Sequence, residues 1–318
     1  MIKIFCYAKG KLEEIKVEEL KKNSKATFWV DLDSSNEKEI APIRKFFDIH
    51  PTTEEDILSN QTRVKYEEFD ENTTIIFEGI GKLEHLNLSL YNLSFVFGKN
   101  YIITSHFEKN ENLDYLINNP KKLENLMKKG KDYVFHFILD KEVDKCVKIK
   151  SIIYEDFKQL EKNFINNPEK EVVQELFKKE LRILETRQLM ESLTDLCLHL
   201  TKPMNNYLSN DLLPYFRDIY DHSFKTTESL KSMLGRMNGM RNAYQLITSN
   251  KLNETMRNLT VIMAIMMPLT ILTGFYGMNV KLPFQNSADI WIWMILLMAG
   301  ISILMFFLFR KLNIKLKN

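Results

Sequence analysis

Toward the C-terminus the sequence sets Asn253, Met256, Thr260, Met263, Met267, Thr270 and Gly274 at steps that alternate three and four. On a helix this is a seam of about 3.5 residues per turn, the period at which several copies of a helix pack around one axis. A dry seam prefers branched aliphatic residues. This one offers uncharged oxygens (Asn253, Thr260, Thr270), thioethers (Met256, Met263, Met267) and bare backbone at Gly274. Two readings stay open. The face lines a water-filled path, with Met256, Leu259 and Met263 forming an apolar level that closes by dewetting, or it is ordinary membrane-helix packing through small and adaptable side chains. Just beyond lies Tyr276-Gly277-Met278-Asn279. The Asn279 amide oxygen can accept hydrogen bonds from water held by a metal ion, and Gly277 permits a turn or close backbone approach. No fixed charge in this stretch would trap a divalent ion; Met278 and Tyr276 shape the loop. The alternative role for Asn279 is a helix C-cap.

These residues must be carried by a membrane helix. Leu259 to Phe275 and Ile290 to Phe309 contain no charged residue, and each meets the roughly 17 to 25 residues needed to cross a bilayer. A buried helical hairpin in a soluble protein is the alternative, and Trp291, Trp293 and the flanking bases speak against it. Lys251 and Arg257 precede the first run and Arg310, Lys311, Lys315 and Lys317 follow the second, whereas the loop between them has only Lys281 as a base. The positive-inside rule therefore places both termini in the cytoplasm, with the protein in the cell (inner or plasma) membrane. The start, MIKIFCYAKG, lacks the apolar stretch of a signal peptide, so the sequon at Asn87 reads as accidental.

A helical pattern enters the first run from near Asp211, tolerates Pro214 in its first turn and meets no other proline before Pro268. One rod from Leu213 to Asn279 would extend roughly 100 Å at 1.5 Å per residue. From Asp132 two long antiparallel helices are expected, broken at Asn166-Asn167-Pro168 and near Lys202-Pro203. Their Glu155, Glu161, Glu171, Glu175, Lys178 and Glu185 read as a solvated face. Earlier, alternating runs at Ile2–Tyr7, Phe28–Leu32, Thr73–Ile80, Leu86–Phe97 and Tyr101–Ser105 predict strands of one sheet. Ser34 with Glu37 and Thr52 with Glu55 have capping-box spacing before helical patterns at Asn36–Phe47 and Glu54–Leu58. The expected organisation is an α/β domain over 1–131, long helices over 132–203, a stalk helix over 204–258 and a first membrane helix over 259–279. An external loop over 280–289, a second membrane helix over 290–309 and a basic tail over 310–318 complete it.

With 318 residues, 45% apolar and 27% charged, the chain has enough material for a buried core. A net charge of +2 gives no electrostatic case for nucleic acid. Cys6, Cys146 and Cys197 are odd in number and lack CxxC spacing, which argues against disulfides and thiolate clusters. His50, His85, His106, His136, His199 and His222 show no ligand spacing. No phosphate-binding GxxxxGK[ST] run occurs, so neither a nucleotide, an organic cofactor nor an enzymatic activity is expected.

The Gly277-Met278-Asn279 tripeptide closing the first of two C-terminal membrane helices, with Met267-Pro268-Leu269-Thr270 and Asn253-Glu254 before it, resembles the CorA family of divalent-cation channels. Pro214-Tyr215-Phe216-Arg217-Asp218 with Tyr220-Asp221-His222, and the strand entry Arg63-Val64-Lys65, resemble the family more weakly over most of the chain, although Val64 stands where a family variant has proline. The resemblance implies a funnel-shaped homopentamer in a lipid bilayer: a cytoplasmic α/β domain, a stalk helix running into the first membrane helix, and the second packed outside it. Cyclic assembly is demanded independently, since one pore helix cannot enclose a path.

By the same resemblance, Gly277, Met278 and Asn279 form a filter for hydrated Mg²⁺, and the equivalents of Met256, Leu259 and Met267 line the constriction, where Met263 replaces a smaller residue. Mg²⁺ dehydrates reluctantly, so recognising its hydrated form is physically apt. Intracellular Mg²⁺ is expected to be regulatory as well as transported, at Asp218 with Glu84 as a guessed partner. A solvated or Arg217-paired Asp218 is the alternative. The loop Val280 to Asn286 carries a base and no acid before Asp289, unlike the family's common acidic loop. It looks more like divergent branches, one of which handles zinc, so Co²⁺, Ni²⁺ and Zn²⁺ stay open. The basic tail reads as a lipid anchor rather than a gate. Two other classes are a helical scaffold without an ion path and a membrane-tethered enzyme.

Overall fold

The computed structural model describes residues 1–20, 26–59, 64–84, 87–168, 170–203, 207–280 and 289–316. Arg63, His85, most of the segment between the two apolar runs including Lys281, and Lys317 lie outside the described residues, as do the side chains of Glu84 and Lys315. The chain divides into two compact units, Met1–Met240 and Arg241–Asn318.

Among the described residues the first unit has one seven-stranded sheet: β1 (Ile2–Ala8), β2 (Lys11–Ile15), β3 (Thr27–Asp33), β4 (Lys65–Glu68), β5 (Thr73–Glu84), β6 (Asn87–Phe97) and β7 (Tyr101–His106), in the order β2-β1-β3-β7-β6-β5-β4. Its pairings are antiparallel except β3 with β7. Five strands lie where alternation predicts them, although β3 and β7, covered on both faces, are buried at nearly every position. β2 and β4 were not predicted as strands from alternation, because their sequences KLEEI and KYEE sit on the sheet edges, where charge is tolerated and no face is fully buried. Lys9 and Gly10, both at positive φ (53° and 79°), make the tight turn that sets Ala8 opposite Lys11.

Two helices cover one sheet face: α1 (Glu37–Phe47) and α2 (Pro51–Leu58). The expected caps are corrected by the structure. Asn36, not Ser34, caps α1 in a reciprocal box with Glu39, while Ser34 adopts φ 48° and its hydroxyl donates to Asp33 and Phe107 instead. His50 caps α2, because Pro51 starts the helix and places Thr52 inside its first turn. Ile40, Ile43, Phe47 and Ile57 bury against Ile4, Phe28, Val30, Leu32 and Ile103.

The other face carries Phe5 stacked on Trp29 and a row of Phe77, Phe95 and Phe97. Above it lie α3 (Glu111–Ile117), α4 (Pro120–Lys129), α5 (Asp132–Asn166) and α6 (Lys170–Leu200). Phe135 of α5 meets Phe95 and Phe97 edge-on, at 4.9 and 5.1 Å between centroids. α7 (Leu213–Tyr276) starts after a short 3₁₀ turn and remains one helix for 64 residues; α8 (Ile290–Leu316) follows. The stalk thus begins at 213 rather than 204, and the first membrane helix stops at 276 rather than 279. The basic tail is not a separate segment, since α8 runs through it to Leu316.

Candidate ion path and its supporting elements

The start of α7 is fixed by packing on the sheet-covering layer. Phe216 is 2% exposed and its ring lies 5.9 Å from that of Phe135. Just upstream, Lys131 donates to the Tyr207 carbonyl (2.6 Å) and to Asp132 (2.8 Å), whose second oxygen accepts from the Ser209 amide (2.7 Å). A buried ion pair of this kind leaves few ways to enter the helix. Pro214 in the first turn has no amide to leave unpaired. Ile219, Ser223, Thr226, Thr227, Leu230, Met233, Leu234, Met237 and Met240 continue a buried face that ends where the first unit ends.

In the second unit α7 has a different environment. Its apolar window is entirely unburied within the protomer, and both it and α8 are long and apolar enough to span a bilayer. Met256, Leu259, Met263 and Met267 are exposed by 56%, 48%, 52% and 64%. Asn253, Thr260, Thr270 and Gly274 are exposed on the same helix. Each threonine hydroxyl donates to a carbonyl of the preceding turn: Thr260 to Met256 (2.9 Å), Thr270 to Met266 (2.9 Å) and Thr273 to Leu269 (3.0 Å). The single hydroxyl proton being used, what Thr260 and Thr270 turn outward is acceptor capacity alone. Pro268 lacks an amide proton, yet the helix passes through it unbroken. Glu254 and Arg257, 3.9 Å apart, are the last charged groups before the apolar run.

The tripeptide sits directly after the helix. The Gly277 amide donates to the Thr273 carbonyl at 2.9 Å and the Met278 amide to Phe275 at 3.3 Å, so the helix is closed before Asn279, which is left exposed. The C-cap alternative for Asn279 is therefore corrected: Gly277 makes the closing bond. A Cβ on Gly277 would stand 3.0 Å from the Thr273 oxygen, so glycine is favoured here by close approach rather than by a positive φ. Met278 is 51% exposed.

Asp218 lies on the first turns of α7 with its side chain 74% exposed, 3.8 Å from His222 and not paired with Arg217. His136 of α5 packs on Tyr215 and Phe216. Burial holds the His136 pKa below its ordinary value, against the opposing pull of Asp140 and Asp218. Glu84 contributes only its backbone pairing with Asn87 to the description. Among the described residues no group of three His, Cys, Asp or Glu side chains converges within the protomer.

Two buried polar nodes escaped the sequence reading. Glu142, 0% exposed, accepts from Asn110, Asn112 and Lys145 and from the Ile80 amide. Asp31 accepts from Thr104 (2.5 Å) and faces His106 at 3.5 Å. Neither has a local sequence signal, because their partners come from other elements.

Together these features define a two-span membrane protein in which a single helix, rooted on an α/β domain, becomes the first span and ends in an uncharged Gly-Met-Asn turn. Residues 24–311 match the family described as CorA-like Mg²⁺ transporter protein, and the chain belongs to that family. The cobalt/magnesium transport protein CorA of Thermotoga maritima is 25% identical over 98% of this chain and 91% of its own length. Two solved structures share the fold over 98% of this chain and 97% of theirs. They are the CorA magnesium transporter from Methanocaldococcus jannaschii (TM-score 0.76, 17% identity) and the full-length CmaX protein (TM-score 0.74, 16% identity). The fold expected from the sequence, an α/β domain with a long helix and two C-terminal apolar helices, is the fold found.

Proposed function

We propose that this protein is a passive channel for Mg²⁺ uptake, with Co²⁺ and Ni²⁺ as further cargo, assembled as a homopentamer around the seam of α7. The observation that carries this reading is the unburied face of α7, acceptor hydroxyls and thioethers in heptad register, leading without a charge into Gly277-Met278-Asn279. Five such helices around an axis would enclose a path. A ring of Asn279 amides at its mouth accepts hydrogen bonds from the water shell of the ion, and the Thr270 and Thr260 oxygens repeat that contact deeper. Met256, Leu259, Met263 and Met267 form the constriction that dewets when closed. Gly274 leaves room for the shell to pass, and Asn253 meets the ion on the cytoplasmic side.

Entry needs no nucleotide. Moving two positive charges inward is favoured by about 4.6 kcal/mol per 100 mV, twice the single-charge value. With both termini cytoplasmic, the α/β domain samples the cell interior. Asp218, exposed at the start of α7, is the regulatory carboxylate: Mg²⁺ bound between it and an acid of a neighbouring protomer holds the closed state, and Glu84 is the candidate for that acid. Arg310 and Lys311, on the last turns of α8, anchor the protein to anionic lipid. Zinc is not favoured as cargo, because the relative named above is a cobalt/magnesium transporter and the membrane helices carry no histidine or cysteine.

Influx into liposomes holding the purified protein tests the reading. Mg²⁺ uptake driven by an inside-negative potential, blocked by cobalt hexaammine and reduced at least about tenfold by Asn279→Ala, is the expected result. A helical scaffold or a tethered enzyme gives no influx, and undiminished influx in Asn279→Ala removes the filter assignment.

A further inference from the structure

The first unit holds the N-terminal stretch of α7 by a buried face with a charged clamp near its end. The buried face there is rich in Ser223, Thr226, Thr227, Met233, Met237 and Met240. The three hydroxyls donate to carbonyls of their own helix, Ser223 to Tyr220, Thr226 to His222 and Thr227 to Ser223, and the Thr227 oxygen also meets the Thr194 hydroxyl of α6 at 3.0 Å. Methionine is unbranched and repacks readily. Such a surface resists separation chiefly through burial, and its methionines by themselves discriminate poorly between neighbouring registers of a sliding or rotating helix.

Arg236 adds a further directional contact, a charged one, nearer the end of that face. Its guanidinium makes a two-pronged contact with Glu161 of α5, Nε to Oε1 at 3.0 Å and the second nitrogen to Oε2, and its carbon lies 4.8 Å from the centroid of the Phe157 ring. Phe157 is itself 1% exposed, so the stacking platform is fixed within the core. A planar fork on a carboxylate and a ring fixes both position and orientation, which a lysine point charge cannot do. The clamp sits between Met233 and Met240, in the last buried turns of α7, and the helix then runs without a break to the seam described above.

We propose that Arg236 is a positioning residue of the channel: the clamp to Glu161 and Phe157 sets the seat of α7 on α5, and that seat is part of the closed arrangement. This rests on the channel reading for its effect on gating, but not for the seating itself. Removing the clamp lets α7 leave its seat, so more cytosolic Mg²⁺ is needed to close the path. The pair is 43% and 25% exposed, so its strength is discounted for solvent, and the expected shift is about three- to fivefold.

The experiment uses full-length protein in nanodiscs and liposomes, with Arg236→Met, Glu161→Gln and the exchanged pair Arg236→Glu/Glu161→Arg. Hydrogen exchange over residues 226–240 reads the seat without reference to transport. Each single variant is expected to speed exchange there about three- to fivefold and to raise the Mg²⁺ concentration that halves influx by a similar factor, and the exchanged pair restores both. Unchanged exchange in the single variants overturns the seating role. Faster exchange with an unmoved half-closing concentration overturns the gating role. Wild-type protein that conducts no Mg²⁺ defeats the channel reading and the gating role with it, while the exchange data still decide the seat.

Discussion

Replacing Gly277 with alanine adds one carbon in tight contact with the last turn of α7. The new Cβ would stand 3.0 Å from the Thr273 carbonyl oxygen, the same oxygen that accepts the closing bond from the Gly277 amide at 2.9 Å. The obstacle is helix backbone, which cannot rotate away as a side chain would. Relief requires a shift of a few tenths of an ångström in the last turn, together with lengthening of the closing bond. Lost hydrogen-bond quality and contact strain together amount to about 1 kcal/mol. That cost falls at the end of a helix and leaves the α/β domain untouched, so the thermal midpoint should move by less than about 2 °C. The consequence for transport is larger, because Asn279 is only two residues beyond and the proposed ring of five copies would multiply each displacement. Influx is expected to fall about tenfold, corresponding to about 1.4 kcal/mol in the barrier. Reconstituted Mg²⁺ influx, read beside a melting curve of the same preparation, checks it. Wild-type influx from a well-folded Gly277→Ala protein would refute the argument that close approach at this glycine positions the proposed filter.

The α/β domain yields two further tests. Burial alone would lower the His106 pKa, but the contact with Asp31, the Glu108 carbonyl and the charge of Asp33 together hold it above its ordinary value. Its folded pKa exceeding the unfolded value of about 6.5, this stabilisation is complete below that pH and is lost as pH rises through the folded value. Urea unfolding of the full-length protein across this range should show the decline, and His106→Gln should flatten it; an unchanged slope counts against a charged His106. Glu142→Ala removes the shared acceptor of Asn110, Asn112 and Lys145. A loss of about 3–5 kcal/mol is expected from the buried donors left behind, measurable as a fall in the thermal midpoint, and a loss under about 1 kcal/mol would mean that water replaces the carboxylate freely.

What the sequence determined by itself is what local pattern encodes. Charge-free runs marked both spans, the three-and-four stepping from Asn253 to Gly274 marked one helix face, and alternation marked the five inner strands, since those signals arise from neighbours along the chain. The tripeptide was legible for the same reason. Tertiary structure alone decided which helix turn closes before Asn279, since only the backbone path shows the Gly277 amide reaching Thr273. It decided that Asn36 rather than Ser34 caps α1, because Ser34 is drawn to Phe107, far away in sequence. It also decided that Arg236 meets Glu161 and that Glu142 is buried beneath two asparagines and a lysine. A carboxylate's burial depends on which elements fold over it, and a charged residue on a helix reads as solvated until another helix is laid against it.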